Sequence, residues 1–342
     1  MIKVALVGCA HIHTPNFVKR LQARDDVEVK TVWDHDIQRA HQRAGELRAN
    51  VVAAANEISA DPEVKAAIIC SETNRHAELV TDGARARKHL FVEKPLGMGA
   101  TDAYAMADAI ERAGVLFQTG YFMRGNPNYR FLREEIGRGA FGRLTRMRVS
   151  NGHAGALRGW FDTEWRWMTD PEVSGLGGFG DLGTHALDLL LWLLGEPRQV
   201  QSVTASVHSA TRRYGDVDEY GEGMLRLNEG LIGTISAGWV DVADPVQLQI
   251  SGTRAQATVM NQKLYYKNED LEGADGARPW TELPDGLPHA FELFLDAVTG
   301  QADVPLVSPR EAALRSSIME ALYEAADSGE WVVPKTSAAL TN

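Results

Sequence analysis

The chain has 342 residues, 44% hydrophobic and 24% charged, which excludes a wholly disordered protein and suggests about two domains. Lys and Arg number 35 against 46 Asp and Glu, and a net charge of −11 argues against wrapping nucleic acid, which needs clustered basic charge. The longest apolar run, near Leu187–Leu194, is interrupted by Asp188 and is too short for a membrane span.

Other coarse features agree. Two cysteines, Cys9 and Cys70, do not make a disulfide framework, and the N-terminus reads as a strand and not as a cleavable signal. A cytoplasmic protein is expected. The densest basic segment, Arg143 to Arg148, alternates like a strand, so its charges should line one solvated face.

In chain order, residues 2–8 form an apolar strand, followed by a helical pattern from Pro15 to Ala23. Val27–Trp33 is a second strand ending at Asp34, and Ile37–Arg48 a helix. Ala66–Cys70, His89–Val92 and Val115–Thr119 are further strands, separated by helices at Arg75–Arg87 and Thr101–Ala113. Strands alternating with helices specify a parallel sheet covered on both faces, and short strands apolar on both sides fit that burial.

The pattern changes near residue 120. Asn128–Ile136 reads as a helix and Leu144–Ser150 as a strand. A Gly- and Trp-rich stretch covers 152–180, and an apolar helix Gly183–Leu194 ends at the stop signals Gly195 and Pro197. Strands follow one another at Val200–His208, Gly223–Leu227, Leu231–Trp239, Val246–Ser251, Ala255–Met260 and Lys263–Tyr266. Short turns such as Asn228-Glu229-Gly230 make that sheet antiparallel. Helices return at 288–299 and 308–327, and the tail from Lys335 should fray. The expected division is a doubly wound domain over 1–120 and an α+β domain over 121–342. Ligand should bind outside the carboxyl ends of the parallel strands.

The first strand–helix turn reads Gly8-Cys9-Ala10-His11-Ile12-His13. Against the dinucleotide fingerprint G-x-G-x-x-G/A, Gly8 fills the first position. Ala10 adds one methyl at the second, and His13 departs at the third. His11 and His13 are two ligands where a stable metal site needs three or four, so no metal is assigned. A His here would contact cofactor phosphates or fill a packing gap. Asp34, at the end of the second strand, can accept hydrogen bonds from ribose hydroxyls and would repel the 2′-phosphate of NADP. His35 and Arg39 nearby keep NADP open.

Glu93-Lys94-Pro95 follows the fourth strand. Pro95 restricts Lys94 at the mouth of the crevice, where a lysine can polarise a substrate hydroxyl. A glycine-rich turn from Gly175 to Gly180 feeds Asp181, His185 and Asp188, whose spacing puts them on one helical face. Such a polar stripe is costly on an apolar helix unless it faces a cleft or partners, and His185 can shuttle a proton. Trp160 to Trp167, with Trp165 and Arg166, could wall a sugar site. Tyr121, Arg124, Asn126 and Asn128 could also face the crevice.

These motifs in this order resemble the glucose–fructose oxidoreductase/inositol dehydrogenase family, often written Gfo/Idh/MocA. The resemblance rests on Glu93-Lys94-Pro95 and Asp181-x-x-x-His185. It extends to Glu72-Thr73-Asn74-Arg75-His76, Gly120-Tyr121-Phe122-Met123-Arg124 and Ile250-Ser251-Gly252-Thr253. It implies a Rossmann-type domain followed by an α+β domain with a large, mostly antiparallel open sheet, used for homodimer or homotetramer assembly.

It further implies an NAD(P)-dependent oxidoreductase acting on a sugar, cyclitol or related polyol. The cofactor would be held by Gly8, Ala10, His11, Ile12, Asp34, Ser71, Thr73, Asn74, His76, Glu93 and Lys94. Lys94 would position the reacting hydroxyl, His185 would exchange its proton, and Asp181 would orient the substrate or His185. Glu93 would contact the nicotinamide ribose. Tyr121, Arg124, Trp165 and Arg166 would bind substrate with Asp181 and His185. NAD-dependent elimination or glycoside cleavage through transient oxidation is an alternative. A non-catalytic nucleotide or sugar sensor is another, against which the retained Lys94 and His185 count.

Overall fold

The computed structural model describes residues 1–195 and 200–337. Pro197, half of the expected helix stop, lies outside the described residues, as do 338–342 of the expected fraying tail. Lys335, at the start of that tail, is instead held 3.0 Å from both Glu320 and Glu324. The chain forms two units. The first contains Met1–Gly120, Phe161–Gly175 and Pro288–Ser316, and the second Tyr121–Trp160, Leu176–Leu287 and Ser317 onward.

The first unit is built on six parallel strands: β1 (Ile2–Val7), β2 (Val27–Trp33), β3 (Asn50–Val51), β4 (Val64–Ile69), β5 (His89–Val92) and β6 (Phe117–Thr119). Their order is β3-β2-β1-β4-β5-β6. The helices are α1 (Thr14–Gln22), α2 (Ile37–Leu47), α3 (Ala55–Ala60), α4 (His76–Arg85) and α5 (Ala100–Ala113). The side-chain period of two divides each strand between two cores. Val4, Leu6 and Phe91 face Phe17, Val18 and Leu21 of α1. Ala5, Val7 and Val92 face Leu79 and Val80 of α4 and Met106 of α5. β3 and α3 are too short for their periodicity to show, and β6 starts at Phe117, two residues later than its apolar run.

The second unit opens with α6 (Pro127–Gly137) and β7 (Leu144–Gly152). The four-residue α7 (Pro171–Ser174) belongs to the first unit, and the long α8 (Gly178–Leu194) returns to the second. Strands β8 (Val200–His208), β9 (Tyr220–Leu227), β10 (Ile232–Gly238), β11 (Val246–Gly252), β12 (Ala255–Met260), β13 (Lys263–Asn268) and β14 (Asp275–Pro279) complete an eight-stranded sheet with β7. Every pairing is antiparallel except β7 with β10. β14, Asp-Gly-Ala-Arg-Pro, has no apolar alternation and escapes a sequence reading. β9 alternates exposed and buried along its whole length, so one sheet face is open, and Arg146 and Arg148 of β7 point outward as their alternation suggests. α9 (Ala290–Val298) packs into the first unit's core, and α10 (Pro309–Ser328) follows it.

α8 begins at Gly178, five residues before its apolar run, because other segments satisfy its first N–H groups. Gly178 N–H donates to the Asp218 carbonyl and Phe179 N–H to Asp218 Oδ2, both at 2.8 Å. Gly180 N–H donates to the Tyr323 hydroxyl at 2.9 Å. Tyr323 in turn donates to Asp218 Oδ1. A Cβ on Gly178 would stand 2.5 Å from the Glu219 carbonyl oxygen, which is why the turn is glycine-rich.

Candidate active site

In the first unit, the order of the parallel sheet reverses between β1 and β4, where Val7 lies beside Ile69. Their carboxyl ends are the topological switch point at which such sheets bind ligands. Gly8 has φ +77°, and a Cβ there would meet Ser71 at 2.5 Å, so only glycine lets the turn pass. This tight first glycine fits a dinucleotide turn. Ala10 is buried, and its carbonyl accepts the Trp167 indole N–H at 3.0 Å. That bond fixes the aromatic segment 161–175 to the first unit. Trp165 and Arg166 therefore sit with the nucleotide-binding unit and not with the second domain, where the boundary at 120 would put them.

The Asp34 side chain is fully buried. Its Oδ2 accepts Cys9 N–H at 2.6 Å, and its Oδ1 accepts Asp36 N–H at 2.7 Å as well as Arg39. It thus fastens the end of β2 to the first turn.

Glu93 is also fully buried. Its Oε2 accepts Lys94 N–H at 3.0 Å, and its Oε1 lies 3.0 Å from His13 Nδ1 and 3.7 Å from His11 Nδ1. Burial pushes this carboxyl up, but His11, His13 and Lys94 outweigh it and hold the group well below the usual carboxylate range. Glu93, His11 and His13 offer ligand atoms within 4.8 Å of one another. The sequence reading, which assigned no metal, found no third ligand near the two histidines. Glu93, 80 residues further on, supplies one in space. The cluster can hold a shared proton or a small cation.

Lys94 is buried and joined to Pro95 by a cis peptide. His76 clamps this turn, with Nδ1 at 3.2 Å from the carbonyl oxygens of both Pro95 and Leu96. Burial lowers its pKa, so a neutral ring donating from Nδ1 fits these acceptors. Ser71 and Thr73 are buried beside the turn, Asn74 is exposed and reaches the Glu172 carbonyl at 3.4 Å, and Ile12 is half-buried.

In the second unit, α8 carries Asp181, His185 and Asp188. Asp181 Oδ2 accepts the Trp239 indole N–H at 2.9 Å. His185 is buried next to the rings of Tyr121 and Phe122, whose centroids are 6.0 Å and 5.2 Å away. Tyr121 pairs its hydroxyl with Thr184 Oγ1 at 3.0 Å. Asp188 is buried and takes a two-point ion pair from Arg124, with Nε at 2.9 Å from Oδ2. Arg124 thus has a firm structural partner. Asn126 caps α6, and Asn128 bonds the Gln262 carbonyl, so both serve the fold. Sequence reasoning missed Trp239, Thr184, Asp218 and Tyr323. Thr184 stands at an unassigned position inside the Asp181-x-x-x-His185 motif, and the other three lie on separate segments that carry no local motif. Lys94 belongs to the first unit, and Asp181 and His185 to the second.

Residues 2–121 match the family model for oxidoreductases with an NAD-binding Rossmann fold, and residues 129–258 match the GFO/IDH/MocA C-terminal domain. Together these cover well over half of the chain, which belongs to the Gfo/Idh/MocA family and is an NAD-binding oxidoreductase. It is 28% identical over 247 residues to myo-inositol 2-dehydrogenase of Thermotoga maritima, covering 68% of this chain and 67% of that one. It is 25% identical over 352 residues to D-glucoside 3-dehydrogenase of Escherichia coli, covering 96% of both. Its fold is similar to the WlbA dehydrogenase from Bordetella pertussis in complex with NADH and UDP-GlcNAcA. There the TM-score is 0.79 at 22% identity, over 98% of this chain and 99% of that one. No helix among the described residues is long and apolar enough to cross a membrane.

Proposed function

We propose that this oxidoreductase moves a hydride between nicotinamide and a hydroxyl-bearing carbon of a sugar, cyclitol or related polyol. The observation that carries the reading is Asp181 and His185, one turn apart on a largely apolar helix, with Asp181 fixed by Trp239 and His185 buried among aromatic rings. Relatives named for inositol and glucoside oxidation support the substrate class.

When bound, NAD would supply the acceptor for the hydride that leaves the substrate carbon. Lys94 positions the reacting hydroxyl and favours its ionisation, and His185 accepts its proton, so the C–H and O–H bonds broken leave a carbonyl. Asp181 orients His185 or the substrate. Glu93 serves the nicotinamide ribose, and the turn Gly8, Ala10, His11 and Ile12 with Ser71, Thr73, Asn74 and His76 holds the dinucleotide. Tyr121, Arg124, Trp165 and Arg166 line the substrate's place. The first unit is read as the dinucleotide-binding domain and the second as the domain for substrate and assembly. The protein is read as a cytoplasmic homo-oligomer, in keeping with two free cysteines and with Tyr220, Met224 and Ile232 exposed on the open sheet.

The test is a screen of cyclitols and sugars for NADH formation at 340 nm, repeated with Lys94→Ala and His185→Ala. Each substitution should lower kcat/KM by about 10²–10⁴. Substrate consumed with no net NADH would replace this reading with elimination through transient oxidation. Unchanged turnover in both variants would sink the site assignment.

A further inference from the structure

Arg39 of α2 lies between two carboxylates. Its Nη2 donates to Asp34 Oδ1 at 2.9 Å and to Glu72 Oε1 at 2.8 Å, and its Nε reaches Asp34 Oδ1 at 3.2 Å. The two acids differ in the acceptor capacity they have left. Asp34 already takes two backbone N–H groups in addition to Arg39, one on each oxygen. Glu72, in the loop after β4, commits only Oε1. Its side chain is 7% exposed, and Oε2 is buried with no hydrogen-bond partner. Two basic side chains flank Oε2, His35 Nδ1 at 3.6 Å and Arg75 Nε at 3.7 Å, and both stand beyond hydrogen-bond reach. A buried carboxylate oxygen without a donor is unfavourable, so its place calls for a ligand that brings a hydroxyl.

We propose that Glu72 Oε2 accepts a hydroxyl of the adenosine ribose, and that the Asp34–Arg39–Glu72 triad sets the preference for NAD over NADP. The inference rests on the NAD-binding reading of the first unit. A ribose 2′-hydroxyl brings the proton Oε2 lacks. A 2′-phosphate brings negative charge against Glu72. Arg39, whose guanidinium already bonds both acids, is not available to receive that phosphate. The discriminating role thereby moves from Asp34, which fastens the first turn, to Glu72, which no fingerprint position names.

The test is calorimetric titration of the full chain with NAD and with NADP, for wild type, Glu72→Gln and Glu72→Asp. Wild type should bind NAD at least tenfold more tightly. Glu72→Gln should shrink the ratio of the two dissociation constants by about tenfold or more, through tighter NADP binding, because the charge is gone and Arg39 is partly released. Glu72→Asp, which keeps the charge, should still reject NADP while losing NAD affinity. If Glu72→Gln does not fold, the Glu72→Asp result decides alone, and NADP binding equal to that of NAD would refute the proposal. A ratio unchanged in Glu72→Gln would overturn this inference and leave the NAD reading standing. Wild type that binds neither dinucleotide would overturn both.

Discussion

The indole of Trp239 donates to Asp181 Oδ2 across 2.9 Å, from a ring that is itself fully buried. Asp181 sits in the first turn of α8, so this one bond sets the direction of its carboxylate relative to the helix. Trp239→Phe keeps an aromatic ring and removes the donor. Its cost in stability should be about 1–3 kcal/mol, the range for losing a hydrogen bond to a charged group. If Asp181 acts in the reaction, kcat should fall tenfold or more with a shifted pH profile. Steady-state kinetics beside a thermal melt separates this from simple destabilisation.

The Arg124–Asp188 pair should behave as a buried ion pair. Arg124→Leu leaves the Asp188 carboxylate, 1% exposed, without its cation, and a loss of about 3–5 kcal/mol is expected. Arg124→Lys should also weaken the protein, since an ammonium cannot match the two-point contact. The double variant Arg124→Leu/Asp188→Leu should recover most of the loss. Chemical denaturation of the four proteins checks this.

His289 gives a pH dependence with a definite sign. Burial, with Arg20 nearby, lowers its pKa from 6.5 to about 4, and its Nδ1 accepts Phe291 N–H, which requires an unprotonated nitrogen. The unfolded chain therefore binds this proton more readily. The contribution is fully present above pH 6.5 and is eroded as pH falls towards 4. Allowing for solvent screening of a partly exposed group, it amounts to about 1–2 kcal/mol. His289→Asn keeps a capping side chain and removes the titration, so its melting temperature should fall less between pH 7 and pH 4.5 than that of wild type.

The open face of the eight-stranded sheet carries Met224 and Ile232 on adjacent strands, 41% and 42% exposed. If copies associate through it, Met224→Lys combined with Ile232→Lys should lower the mass measured by light scattering to that of one chain and leave the circular dichroism spectrum unchanged. Wild type that runs as a single chain would refute assembly through this face.

Local patterning announced most of the fold. The parallel strands were legible because both their faces are buried, and β9 to β13 because apolar residues alternate. What escaped was what distant segments supply. α8 starts early because Asp218 and Tyr323 cap it, and nothing around Gly178 signals that. Glu93 reads as part of a tripeptide, yet its electrostatics come from His11 and His13, 80 residues upstream in the case of His13. Arg39 reads as a residue near Asp34, and only the folded chain adds Glu72 to it. Asp188 was legible as a polar residue that needs a cleft or a partner and Arg124 as one that could face the crevice, but their bond to one another was not.

The rings of Phe17 and Phe291 stack at 4.4 Å, and Phe91 meets Phe291 edge-on at 5.0 Å, so α9 closes a core begun more than 250 residues earlier. A ribosome emits residues 1–120 long before it emits α9. During that interval the nascent nucleotide-binding half holds Phe17 and Phe91 without their lid, as a sticky, unfinished surface. Closure of this half waits for residues 290–298 to be translated, and until then Phe17 and Phe91 lack the apolar cover that α9 supplies.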